Sequence, residues 1–201
     1  YSDSTFSPEE VVSCARDQAL AAIAICDHDS VDGIKPCRAI GDKMGVEILP
    51  GIELTVEKAD AEIHILGYLM DYNLGWFRER LKELQDGRIN RIYKMVEKLR
   101  SEGINLNAED VFKISGRGTV GRLHLARAIL KTGRVKTIKD IFGKYIGFKK
   151  PCYVANVKLT PREAINIILE TGGVPVLAHP DCMGRDEYMP ELIECGLRGI
   201  E

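Results

Sequence analysis

Ala21-Ala22-Ile23-Ala24-Ile25-Cys26 is a continuous apolar run of strand length, and Val174-Pro175-Val176-Leu177-Ala178 is another. A strand that is apolar at every position has no solvent face, so other elements must cover it on both sides. These runs alternate with written helix starts. Ser7-Pro8-Glu9-Glu10 supplies a Ser cap, a Pro at the first helical position and a Glu that closes a capping box. Thr160-Pro161-Arg162-Glu163 repeats that pattern. A helix is predicted from about Asp32 to Met44, stopped by Gly45. Val46 to Leu49 reads as a second strand leading into the turn Pro50-Gly51-Ile52-Glu53, and Ala61 to Leu69 as a third. Alternation of this kind predicts a parallel sheet or barrel.

The texture changes at Asp71. From there to about Lys150 the chain is charged, amphipathic and helical, with one long helix predicted from about Trp76 to Ser101. Strand–helix alternation then resumes, with a last helix over about Glu187 to Cys195 and a strand entering at Gly199. The expected organisation is an α/β domain over residues 1–70 and 151–201, interrupted by a helical insertion at 71–150. The composition suits a soluble globular protein, with 45% apolar and 29% charged residues. A formal charge of −2, from 28 basic against 30 acidic residues, exerts no general pull on nucleic acid or membrane. No apolar run approaches the roughly 18 residues of a membrane span, and no signal peptide opens the chain. The six cysteines form no CxxC pair and read as reduced thiols, so a cytoplasmic location is expected.

The four histidines carry the main functional signal. His28 follows the first apolar run, His179 follows Ala178, and Glu53 comes shortly after Leu49. His64 lies between Ile63 and Ile65, on the opposite face of its strand from both. Glu201 ends the run Leu197 to Ile200. Functional groups of α/β folds gather at the carboxyl ends of strands, so these residues are expected to share one site. Each alone reads more simply as a loop or core residue; together they favour a metal centre. Imidazoles and carboxylates without thiolates suit Zn²⁺, Mn²⁺ or Fe²⁺. Two such ions about 3.5–4 Å apart can activate water and stabilise the leaving oxygen of a phosphoester. No P-loop, GxGxxG or nucleophile elbow is present.

Ser2-Asp3-Ser4-Thr5, Ile25-Cys26-Asp27-His28-Asp29, Pro50-Gly51-Ile52-Glu53, Ile63-His64-Ile65-Leu66-Gly67-Tyr68, Ala178-His179-Pro180 and Gly199-Ile200-Glu201 stand in an order that resembles the PHP (polymerase and histidinol phosphatase) superfamily. The resemblance implies a distorted (β/α)7 barrel with an inserted helical subdomain. It also implies two or three divalent ions, Mn, Zn, Fe or Mg, held by Asp3, His28, Glu53, His64 and His179. A metal-bound water would then be the nucleophile, with Asp27 or Asp29 orienting His28. Glu201 matches a strand end of the family and is given no ligand role. A His-x-His motif is expected before Tyr1 and an Asp-x-His after Glu201, so the chain reads as incomplete at both ends.

In the insertion, Gly116-Arg117-Gly118-Thr119-Val120-Gly121-Arg122-Leu123-His124 combines backbone freedom with positive charge, an anion-binding arrangement. Arg117, Arg122 and His124 are the candidate phosphate contacts, and the segment is expected to act as a cap that limits the cleft to small substrates. The expected activity is hydrolysis of a small phosphorylated metabolite or nucleotide. Alternatives are a 5'-3' exonuclease on short oligonucleotides and a non-catalytic metal-binding or regulatory module. Neither a membrane nor an obligate protein partner is expected.

Overall fold

Among the described residues, five strands lie side by side in chain order: β1 (Ala22–Ile25), β2 (Glu47–Lys58), β3 (Ala61–Tyr68), β4 (Val174–Leu177) and β5 (Gly199–Ile200). They form a curled mixed sheet, half of a barrel. The computed structural model describes residues 2–58, 61–116, 118–155, 159–183 and 186–201, with only the backbone of Cys182 and Met183. The helices are α1 (Pro8–Asp17), α2 (Ile34–Met44), α3 (Gly75–Ser101), α4 (Ala108–Ser115), α5 (Arg122–Lys131), α6 (Ile138–Ile141), α7 (Pro161–Glu170), α8 (Pro180–Met183) and α9 (Met189–Glu194). Both expected capping boxes form. The Ser7 hydroxyl accepts from the Glu10 N–H and the Thr160 hydroxyl from the Glu163 N–H, while each Glu carboxylate accepts from the cap's own N–H.

The chain falls into two compact units. Asp3–Lys82 and Lys158–Glu201 make the first, which holds the whole sheet; Ser2 and Glu83–Val157 make the second. In the second, α4, α5 and the end of α3 enclose Met95, Leu99, Val111, Leu125 and Ile129, all fully buried. No strand is assigned between residues 71 and 150 among the described residues. Nor is any helix there long and apolar enough to cross a membrane. The described cysteine side chains, Cys14, Cys26, Cys37, Cys152 and Cys195, are free thiols.

The sheet corrects the expectation of parallel strands. β1 pairs with β2 and β4 with β5 in parallel, but β2–β3 and β3–β4 are antiparallel. β2 and β3 pair from Gly51↔Tyr68 to Lys58↔Ala61, and so short a connection permits no parallel crossover. β2 is also much longer than Val46 to Leu49, so Glu53 lies inside the strand and not in a turn after it. The overlooked signal is the alternation Ile52-Glu53-Leu54-Thr55-Val56-Glu57, a half-buried strand pattern. Pro50, which has no N–H to give, stands where β2 changes partner from β1 to β3.

This hairpin has two chemically different faces. Ile52, Leu54 and Val56 of β2 join Ile63 and Ile65 of β3 on one face, none more than 1% exposed, and α7 packs there through Ala164, Ile165 and Ile168. Glu53, Thr55 and His64 are left on the other face. Gly67 lies on the apolar face, where a Cβ would come within 2.9 Å of Ile168 Cγ1 and 3.1 Å of Ile52 Cγ2. Gly67→Ala should therefore push α7 off the sheet and cost about 1–3 kcal/mol. A lower urea midpoint at unchanged slope is the expected reading; an unchanged midpoint would mean that α7 shifts freely.

Candidate metal centre

Four neighbouring strands each deliver one donor. His28 follows β1 and makes a parallel bridge with Glu53 of β2. His64 of β3 stands opposite Thr55, one step diagonal from Glu53. His179 follows β4, and the Ala178 N–H donates to the His64 carbonyl at 3.0 Å, which ties that strand end to β3. Asp3 approaches from the segment before α1. His179 has φ of 32° and Asp29 of 48°, left-handed values that L residues seldom adopt. Such strain collects where a side chain must be aimed, and here it flanks the histidine cluster.

Glu53 is the hub. Its Oε1 lies 2.7 Å from His64 Nδ1 and 3.3 Å from His179 Nε2, and its Oε2 lies 3.7 Å from His28 Nε2. His28 Nε2 is also 3.7 Å from Asp3 Oδ2, and His64 Nδ1 is 3.1 Å from His179 Nε2. The rings of His28 and His64 meet edge to face with centroids 4.8 Å apart, and those of His64 and His179 at 4.9 Å. The ligand atoms of His28, Glu53 and His64 all lie within 4.8 Å of one another. The structure thus brings together Asp3, His28, Glu53, His64 and His179. Borderline nitrogen and hard oxygen donors at this spacing fit a divalent transition ion.

The electrostatics point the same way. Burial alone would raise the Glu53 pKa. The hydrogen bond from His64 and the charges of His28 and His64 outweigh burial and hold the carboxyl well below its usual range. Burial alone would lower the His64 pKa, yet Glu53 and Glu62 hold it well above the ordinary imidazole value. The pocket stabilises positive charge among its donors, as a cation site must.

Two contacts escaped the sequence analysis. The Thr55 hydroxyl lies 3.4 Å from His28 Nδ1, and the Thr55 N–H donates to Asp29 Oδ1 at 3.2 Å. Asp29 therefore reaches His28 through the backbone of Thr55. Glu62 Oε1 lies 3.5 Å from His64 Nε2, with its side chain 9% exposed. Position alone could have found both residues: Thr55 and Glu62 share the strand face of Glu53 and His64. Asp27 is buried beside His28. Glu201 follows β5, and its N–H donates to the Leu177 carbonyl.

The second unit holds the other candidates. Arg122 and His124 lie in the first turn of α5, and Arg117 lies outside the described residues. The Arg122 guanidinium sits 5.7 Å from the ring centroids of both Phe142 and Tyr153, and Arg91 sits 5.1 Å from Tyr153. Arg88 and Arg91 are buried. His124 Nδ1 accepts from the Gly121 N–H at 3.1 Å and so caps its own helix. Burial, with the charges of Arg127 and Arg88, pushes the His124 pKa down to about 4. At neutral pH His124 offers a hydrogen-bond donor and no positive charge.

No family model matches the chain. It is 30% identical over 194 residues to a 3',5'-nucleoside bisphosphate phosphatase of Chromobacterium violaceum, covering 96% of this chain and 67% of that protein. It is 32% identical over 181 residues to the 5'-3' exoribonuclease Rnm of Escherichia coli, covering 89% of this chain and 62% of that protein. A solved structure from Bifidobacterium adolescentis, described as a metal-dependent phosphoesterase, matches with a TM-score of 0.89 at 30% identity. That match covers 100% of this chain and 73% of the other. The chain spans about two thirds of the length of the two curated relatives.

The His124 environment sets a pH dependence of stability. Its folded pKa of about 4 lies below the unfolded 6.5, so between those values the unfolded chain binds a proton that the folded chain refuses. The stability it secures is complete above pH 6.5 and falls as the pH drops toward 4, by at most about 1.4 kcal/mol per pH unit. Urea midpoints measured from pH 7 to pH 4.5 should show that slope. His124→Asn, which keeps an acceptor for Gly121 and cannot titrate, should flatten it. An equal slope in both proteins would assign the acid sensitivity elsewhere.

Proposed function

Because the chain belongs to the PHP family of metal-dependent phosphoesterases, we propose that its protein removes a phosphate from a small nucleotide or phosphorylated metabolite. Asp3, His28, Glu53, His64 and His179 would hold two or three divalent ions, of Mn, Zn, Fe or Mg. The observation that carries this reading is the convergence of three imidazoles on one carboxylate from four adjacent strands. Bound ions supply positive charge to the phosphoryl oxygens and acidify water.

The protein's own residues do the placing. Thr55, pinned by Asp29, holds the outer nitrogen of His28 so that Nε2 turns to the cluster. Glu53 spans the cluster through both oxygens. His179 is the most exposed imidazole, with 44% of its side chain accessible against 12% for His28 and 14% for His64. It is therefore the imidazole on the side from which a substrate enters. In the second unit, we propose Arg122 as a phosphate-binding side chain. A guanidinium backed by two aromatic rings keeps its planar fork ordered for a bidentate contact.

The relative from E. coli favours a second reading, 5'-3' exonuclease action on short oligonucleotides. A net charge of −2 and an aromatic content of 6% weigh against a long single-strand groove, which needs a basic track with stacking platforms. The full-length protein supplied with Mn²⁺ should release phosphate from a nucleoside bisphosphate faster than it shortens a 5'-phosphorylated oligoribonucleotide. The reverse order would install the exonuclease reading, and no turnover of either would sink both.

Two substitutions test the parts. Glu53→Ala should lose bound metal and lower kcat/KM by more than the about 10–100-fold typical of outer-shell partners. Arg122→Ala should leave metal content unchanged, raise KM and cost about 2–4 kcal/mol in transition-state binding. Intact kinetics in Arg122→Ala would return that residue to the protein surface.

A further inference from the structure

An imidazole has one lone pair to give a cation, and something must decide which nitrogen keeps the hydrogen. At His28 the inward atom is Nε2, which faces Asp3 and Glu53, while Nδ1 turns back to the Thr55 hydroxyl. At His64 the arrangement is reversed. Nδ1 faces Glu53 at 2.7 Å and His179 at 3.1 Å, while Nε2 turns away from the cluster to Glu62 at 3.5 Å. We propose that Glu62 is the positioning residue of His64, holding hydrogen on Nε2 so that the Nδ1 lone pair is presented to the metal. This role rests on the metal-centre reading and extends it to a residue outside the ligand set.

Three observations support the role. Strand geometry places Glu62 and His64 two residues apart on one face of β3, while Ile63 and Ile65 anchor the opposite face in the core. The backbone therefore cannot carry one away from the other. The Glu62 side chain is only 9% exposed, and a carboxylate so far from water must be hydrogen-bonded to be tolerated. Glu62 also accepts without donating, so the His64 nitrogen that faces it is favoured as the N–H, and a cation at Nδ1 would take the place of the hydrogen shared with Glu53. The fixed partner on the outer nitrogen sets both tautomer and ring orientation of a ligating histidine. The asymmetry with His28 is chemical as well: a hydroxyl can donate or accept, whereas a carboxylate only accepts.

The test uses the full chain loaded with Zn²⁺, which is diamagnetic, and needs no turnover. In the wild-type protein, ¹⁵N spectra of the His64 ring should show hydrogen on Nε2 and a bare, metal-shifted Nδ1. Hydrogen on Nδ1 would overturn the proposal without any variant. Glu62→Met keeps the size of the side chain and removes the acceptor. It should weaken Zn²⁺ binding about 10–100-fold in competition with a chromogenic chelator and mix the two tautomers in the fraction that has lost the ion. Glu62→Gln, whose amide oxygen still accepts, should recover most of that affinity and the single tautomer. A merely structural Glu62 would lower stability in both variants and leave tautomer and affinity alone, which would refute the proposal. Failure of the wild-type protein to bind Zn²⁺ at all would instead strike at the metal-centre reading, so the two failures are distinguishable.

Discussion

Three imidazoles crowd around Glu53, and little about the site makes sense without that carboxylate. Its two oxygens reach His64 and His179 on one side and His28 on the other. A buried carboxylate without positive neighbours would be costly, and buried imidazolium groups without an anion would be equally so. Each stabilises the charge of the other, which is why Glu53 is held acidic and His64 basic against the pull of burial. A divalent cation can take over the positive role, releasing protons as it binds, because metal-ligating imidazoles must be neutral.

The first unit is organised to hold that carboxylate still. Alternation along β2 and β3 sends Ile52, Leu54, Val56, Ile63 and Ile65 into the interface with α7, and the same alternation sends Glu53, Thr55 and His64 the other way. Packing on one face therefore fixes the register of the other. Gly67 and Gly51 show how tight this is. A Cβ at Gly51 would come within 2.5 Å of Cys26 Sγ, just where the chain leaves β1 for His28. A slip of one residue in the hairpin would move Glu53 into the apolar core and dismantle the centre.

Much of this was legible from residue order. The capped helix starts at Ser7 and Thr160 need only local hydrogen bonds, and both form as expected. The candidate ligands His28, Glu53, His64 and His179 stood out because apolar runs frame them, and Asp3 came from the family resemblance alone. The antiparallel pairing was less visible, since it depends on β2 and β3 being joined by too few residues for a crossover, and Pro50-Gly51 looked like the end of a strand. Thr55 and Glu62 were missed for another reason. Neither belongs to a motif, and their importance comes from the strand face they share with Glu53 and His64. His124 shows the limit of reading charge from residue type, because the burial that depresses its pKa is a property of the folded unit.

The most direct measurement of the central claim is an anomalous-scattering map of the full-length protein crystallised with Zn²⁺ or Mn²⁺. The expected result is a peak among His28 Nε2, His64 Nδ1 and the Glu53 carboxylate, at nitrogen and oxygen distances of about 2.0–2.2 Å for zinc. A protein that takes up the ion elsewhere, or whose Glu53 and His64 stay paired with each other while the ion binds at the surface, would contradict it.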